Sequence, residues 1–391
     1  MSRTLTPAYR LGTHRLVPPE ETLARLTPHL AEFGITRCAD VTGLDVDLGL
    51  PVYMAIRPRG RVLQSSAGKG LSVAAAKVSA LMEAVELDVA ERPDPAHLRC
   101  ASQAELLAEG KRVDALPEWV GAAGRFFSDQ FRIDWVEAED LLRGGAVWVP
   151  AGAAYFCEPS PCRTNTNGLA SGNHLVEATL HALYEVIERD AVARLVDGER
   201  LMIARDCQVL DPASVSDPAL ATVLRKIERA DTKIVLLQVL SGLEVPTYWA
   251  LLLNRQPFAG VSTLSSGYGT HMDSTVALVR AVGEAVQSRL TMIHGARDDI
   301  VEKPVYVGQV AGDGDVGASP AFRFFDALEP TAQACTASYD GDLDAAQQAV
   351  LSMLRRAGHE RMYRVDMHCP APGFSVVKVL APSLRYQTTL F

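Results

Sequence analysis

The chain has 391 residues, 48% of them hydrophobic, and a formal net charge of −9 at pH 7. That length can bury a large core, and an acidic balance without any Lys/Arg-rich run argues against nucleic acid or an anionic membrane as a partner. No apolar run nears the roughly 20 residues of a membrane span, and the opening MSRTLTPAYRLGTHRLVPPEE has no apolar signal stretch, so the reading is cytoplasmic.

In chain order, PPEETLARLTPHLAEFGI (18–35) has helical spacing, and VYMAIRP and RVLQSS read as strands. SSAGKG reads as a glycine-rich turn that opens a helix near 70–91. A short helix near 102–110 follows, then strands at FRIDWVEA and AVWVPAGAAYF, and the loop CEPSPCRTNTNGLASGN leads into a helix near 173–194. KIVLLQVL and TYWALLLN are apolar runs of buried-strand length. SSGYGTHMD introduces a helix over 274–295, DLDAAQQAVLSMLRRAG (342–358) predicts another, and FSVVKVLAP closes with a strand. With no linker between these elements, the expectation is one α/β body over 1–391, with 1–64 as its N-terminal helix/strand segment.

Seven cysteines, an odd number scattered through the chain, argue against a disulfide framework. Cys157 and Cys162 form C-x4-C with no second Cys or His pair nearby, which reads as loop cysteines rather than a zinc site.

The long helices carry a repeat. SALMEAVELDVAER (79–92), HALYEVIERDAVAR (181–194) and ALVRAVGEAVQSRL (277–290) share Ala-x-x-Glu-x-x-Glu/Gln, and each follows a glycine-containing segment read as a loop: GKG, NGLASGN and GYGT. Three registered copies point to related units around a common centre. Ser79, Glu83 and Glu86 fall on one helical stripe, and Glu177, His181, Tyr184 and Glu188 align similarly with Glu185 adjacent. The remaining positions are apolar or small, so the acids belong to buried helices.

Clustered buried carboxylates need cations, and oxygen ligands without His or Cys spacing fit Mg²⁺, with room for more than one ion. Lys69 and Arg189 are placed to contact phosphate oxygens. The plainer alternative, glutamates on solvated faces paired with surface Lys or Arg, suits any single copy but not three in register. SSAGKG also lacks P-loop spacing.

These residues resemble the YcaO family of ATP-dependent enzymes that activate peptide backbone amides. The resemblance rests on SSAGKGLSVAAAKVSALMEAVE, TNTNGLASGNHLVEATLHALYEVIERDA, ALVRAVGEAVQSRLTMIHGARDD and the closing PAPGFSVVKVLAPSL. It implies an α/β fold with mixed sheets and three related ATP-site helices. It also implies Mg²⁺ ligands at Glu83, Glu86, Glu185, Glu188 and Glu284, with ATP contacts at Lys69, Ser79, Asn173, Arg189, Gln287, Arg289 and Arg297. Helical spacing turns Arg289 away from Glu284. Many members have Arg where this chain has Leu87, a departure that Arg189, Lys69 or Arg297 would have to offset.

The implied chemistry is nucleophilic attack on an amide carbon, phosphoryl transfer to its oxygen and loss of phosphate, with no enzyme nucleophile, so no catalytic side chain is assigned. The ending APSLRYQTTLF lacks the Pro-rich tail of azoline-forming members, and the segments VSALMEAVE and TNGLASGN are similar to members found with TfuA partners. The resemblance therefore implies thioamidation of a peptide or protein substrate with a sulfur-delivering TfuA-like partner, ahead of azoline or amidine formation. A homodimer stays open, as do two other classes: a non-catalytic nucleotide or peptide scaffold, and a metal-dependent phosphohydrolase.

Overall fold

The computed structural model describes residues 5–115, 119, 128–158, 160–162, 164–197, 200–254, 264–295, 320–335 and 337–386. The first part of the chain forms α1 (Pro19–Leu26), β1 (Arg37–Asp40), β2 (Val52–Ile56), β3 (Ser65–Lys69), α2 (Val73–Glu91), β4 (Leu98–Ser102), β5 (Arg132–Asp140), β6 (Ala146–Pro150), β7 (Leu169–Gly172) and α3 (Leu175–Arg194). The second part forms β8 (Cys207–Asp211), α4 (Pro218–Arg229), β9 (Thr232–Val239), β10 (Thr247–Asn254), β11 (Leu264–Thr270), α5 (Ser274–His294), β12 (Ala332–Gln333), α6 (Leu343–Arg356), β13 (Tyr363–Met367) and β14 (Ser375–Leu380). Among the described residues, no helix is long and apolar enough to cross a membrane.

Three sheets carry the α/β body. β1-β2-β3 is antiparallel; β4-β5-β13-β14-β7, with β6 on β5, is antiparallel; β11-β10-β9-β8-β12 is mixed, because β8 and β12 run parallel. TYWALLLN is β10, buried at every position between β9 and β11, which explains its unbroken apolar run.

The three acid-bearing helices share one construction. β3, β7 and β11 each lie at an edge of their sheet, and each turns directly into the helix that follows: α2, α3 or α5. Side chains cap the three starts: Ser72 accepts from the Ala75 N–H, His174 from Val176, and Asp273 from Thr275 and Val276. The units then close on one another, α2 touching β7, α3 touching β11 and α5 touching β3. Each helix is thus covered by its own strand and by the next unit's, which is why α2 and α3 are apolar nearly all round.

Two sequence expectations change here. GKG, NGLASGN and GYGT are not simple loops; most of their residues are in β3, β7 and β11, and β3 starts at Ser65 rather than within RVLQ. Their glycines serve close approach. A Cβ on Gly68 would strike the backbone of Ala76 and Ala80, one on Gly269 that of Ala277 and Ala281, and one on Gly172 would lie 2.8 Å from the Ala178 nitrogen. The alanines opposite complete the contact, so small residues on both sides seat each helix directly on its strand. The expected helix over 18–35 stops as α-helix at Leu26 and continues only as a 3-10 turn, Thr27–His29, because Pro28 interrupts the hydrogen-bond ladder.

Candidate active site

The facing sides of α2, α3 and α5 enclose a cavity of about 660 Å³. Equivalent repeat positions meet there: Ser79, His181 and Arg280; Glu83, Glu185 and Glu284; Glu86, Glu188 and Gln287; and Leu87, Arg189 and Ser288 all line it. Four repeat positions therefore share one space, the common centre that the sequence pattern anticipated.

Partners are unevenly spread among these groups. Glu86 accepts from the Ser171 hydroxyl at 2.5 Å. Glu284 lies 3.5 Å from Lys69 Nζ and 3.9 Å from an Arg189 nitrogen, and Glu188 Oε1 is 3.7 Å from Arg189. Glu188 Oε2 and Gln287 Oε1 are buried and, among the described residues, accept no hydrogen bond. Two acceptors without a partner, on residues that line a carboxylate-rich cavity, fit a hard cation. No group of three His, Cys, Asp or Glu among the described residues converges into a metal site by itself. That donor set suits Mg²⁺, which takes one or two carboxylates and completes its octahedron with water and phosphate oxygens.

Burial raises the Glu86 carboxyl to about 8, with Glu83 and Glu185 adding repulsion and Ser171 and Arg15 opposing it. Burial also raises Glu188 to about 7, opposed by Arg189 and reinforced by Glu284. Glu185 is raised by burial as well, with Arg189 and Lys378 opposing. Lys378, buried beneath the site, donates to the carbonyls of Asn165 and Asn167, and burial lowers it to about 8 against the pull of Glu185. Burial by itself would lower Arg189, but Glu188, Glu284 and Glu185 more than reverse this and hold its charge.

A pH dependence follows. Glu86 and Glu188 titrate above 4.5 in the folded chain, so the native state binds more protons than the unfolded state between about pH 5 and 8. Through these groups the ligand-free protein loses stability as pH rises across that window. A bound divalent cation expels the same protons, so its affinity increases over the same range. Thermal unfolding at pH 5.5 and 8, with and without Mg²⁺ and nucleotide, is expected to show the ligand-induced stabilisation growing with pH.

The cavity brings together Lys69, Ser79, Asn173, Arg189, Gln287, Glu83, Glu86, Glu185, Glu188 and Glu284. Asn173 has both ends of its amide in use, Oδ1 accepting from Thr22 at 3.2 Å and Nδ2 donating to Glu177 at 3.3 Å. Arg289 is a correction: it is 4% exposed, bonded through Nε and Nη2 to Asp45, and not part of the cavity wall. Its position two residues after Gln287 turns it to the far side of α5, toward the 42–48 loop. Arg297 lies outside the described residues. Tyr184, expected on the acidic stripe of α3, packs instead against the His271 ring, and Glu185 takes its place in the cavity. Leu87 is on the wall and 1% exposed, so its register position supplies one cation, Arg189.

Sequence reasoning missed Arg15, Arg280 and the Glu177 anchor. Glu177 accepts from the Leu16 N–H at 2.8 Å, from Arg15 at 3.2 Å and from the Asn173 N–H at 3.0 Å, pinning the segment before α1 across the cavity. Nothing local in YRLGTHRL marks that contact, which spans some 160 residues of chain. Arg280 had a signal, since it occupies the Ser79 position of the repeat.

A family model described as YcaO cyclodehydratase, ATP- and Mg²⁺-binding, matches residues 67–385. The chain belongs to the YcaO family. ATP and Mg²⁺ are accordingly its cofactors, and the oxygen-lined wall described above fits them. A Rhizobium leguminosarum bv. trifolii protein named for its place in the tfuA 3' region is 39% identical over 295 residues, covering 73% of this chain and 69% of that protein. A Methanothermobacter thermautotrophicus protein is 33% identical over 384 residues, 94% of each.

Among solved structures, YcaO from Methanopyrus kandleri bound with AMPPCP and Mg²⁺ superposes with a TM-score of 0.75 at 22% identity, covering 97% of this chain and 94% of that one. A heterocyclase in complex with substrate and cofactor superposes at 0.79 and 21% identity, covering 99% of this chain and 54% of the longer one. At these identities the superpositions establish the YcaO fold.

Proposed function

We propose that this YcaO protein activates a backbone amide of a ribosomally made peptide or protein, giving a thioamide with the help of a sulfur-delivering partner. The observation that carries the ATP-dependent part is the three-helix cavity, where Glu83, Glu86, Glu185, Glu188, Glu284 and Gln287 line one space with two of their acceptor oxygens unpartnered among the described residues. Glu83, Glu86, Glu185, Glu188 and Glu284 would hold Mg²⁺; Lys69, Ser79, Arg189 and Gln287 would hold the nucleotide. ATP, when bound, supplies a phosphoryl group that turns an amide oxygen into a leaving group.

The chain's own contribution is positional. The strand-seated helices fix the acids, and Arg189 keeps its charge between Glu188 and Glu284. Support for sulfur as the nucleophile is the relative named for the tfuA 3' region. The family description as a cyclodehydratase supports azoline formation as the alternative.

Mass spectrometry of a candidate peptide co-expressed with the protein and its partner separates the two. The proposal expects a mass gain equal to exchange of one oxygen for sulfur. Loss of one water would mean cyclodehydration, and an unmodified peptide alongside peptide-independent ATP hydrolysis would overturn amide activation.

A further inference from the structure

Lys378 lies in β14 directly opposite Leu169 of β7, and residues opposite one another in an antiparallel pair project to the same face. Leu169 lines the cavity, so the lysine sits in the layer beneath the cavity wall, where it is 2% exposed. The turn before β7 holds its ammonium. Nζ donates to the Asn165 carbonyl at 2.5 Å and to the Asn167 carbonyl at 2.7 Å. The Asn165 side chain fixes the same turn by accepting from the Asn167 N–H at 2.9 Å, and Thr166 between them is in the cavity wall.

Carbonyl oxygens hold an ammonium in place without neutralising it. Its charge therefore reaches beyond them, and Glu185 is the acid that responds: burial raises that carboxyl, and Arg189 and then Lys378 oppose the rise. A buried positive charge under a cation-binding carboxylate has opposite effects on two ligands. It repels a bare divalent cation and attracts a nucleotide complex whose net charge is negative. The lysine also helps to keep Glu185 ionised, but a divalent cation carries twice the charge of the proton it displaces. Repulsion therefore outweighs that help.

We propose that Lys378 is a positioning residue that acts through Glu185, making the cavity refuse a bare divalent cation and accept one that arrives with a triphosphate. The inference rests on the cavity being the Mg·ATP site. Lys378 needs no contact with the nucleotide for this role, since a fixed charge one layer below the wall suffices.

Mn²⁺ is the probe, because its free-ion paramagnetic resonance signal is lost on binding and it suits oxygen ligands. It is titrated into the full chain at pH 7, alone and together with ATP. The wild type is expected to bind Mn²⁺ at least about tenfold more weakly alone than with ATP. Lys378→Met is expected to tighten binding of Mn²⁺ alone about tenfold and to weaken binding of Mn·ATP about threefold. A lysine with a merely structural role would weaken both ligands when replaced. That result, or an unchanged affinity for Mn²⁺ alone, overturns the proposal.

Thermal unfolding confirms that the variant folds; if it does not, Lys378→Gln, which keeps a donor for the two carbonyls, decides by the same criteria. Wild-type protein that binds Mn²⁺ as tightly without ATP as with it overturns the proposal whatever the variants do, and leaves the nucleotide reading of the cavity intact. Wild-type protein that binds Mn²⁺ in neither condition removes that reading, and this inference with it.

Discussion

Glu188→Gln is expected to lower the affinity for Mg·ATP by at least about a hundredfold while leaving the ligand-free protein as stable as wild type or more so. The side chain is 2% exposed, and its Oε2 has no hydrogen-bond partner among the described residues. A carboxylate in that position is disfavoured by burial, Glu284 and Glu185, and Arg189 and then Arg280 offset it only in part. Glutamine keeps the volume and removes the charge, so above pH 7 the empty site is relieved of repulsion. The cation loses a charged ligand, and even outer-shell losses around metals cost roughly 10- to 100-fold. Titration calorimetry and thermal unfolding of the two proteins read both halves. A variant with reduced stability and unchanged affinity would mark Glu188 as a structural residue.

Gly68→Ala is expected to destabilise the fold by about 3 kcal/mol or more, at the upper end of overpacking. The added methyl would meet the Ala80 nitrogen and Cα and the Ala76 oxygen. These are backbone atoms of α2, held from the other side by β7, so they cannot yield as a flexible side chain would. Relief requires lifting α2 from β3, which also displaces Glu83 and Glu86. Gly43→Ala is the control: a methyl added there would have nothing within 4 Å and the backbone φ is not positive, so the change is expected to stay within about 0.5 kcal/mol. Chemical denaturation of both variants measures the difference, and equal midpoints would show that the strand and helix are not in tight contact.

The site was legible where the sequence repeats. Glu83, Glu185 and Glu284, and Glu86, Glu188 and Gln287, could be matched by register alone, because equivalent positions on related helices turn to the same side. The glycines were seen but misread. Glycine permits both a turn and a close backbone approach, and only the opposing alanines at Ala76, Ala80, Ala277 and Ala281 distinguish them. Arg289 illustrates the limit of motif matching, since it follows the pattern yet pairs with Asp45 on the far side of α5. Arg15 was beyond reach: its place depends on Glu177, distant in sequence and buried in the fold.

If the three registered helices form one Mg·ATP site, ATP titrated into the purified wild-type protein binds saturably at a single site with Mg²⁺, and excess chelator abolishes that binding. Binding of equal strength without divalent cation, or none with it, would mean that the helices do not form such a site.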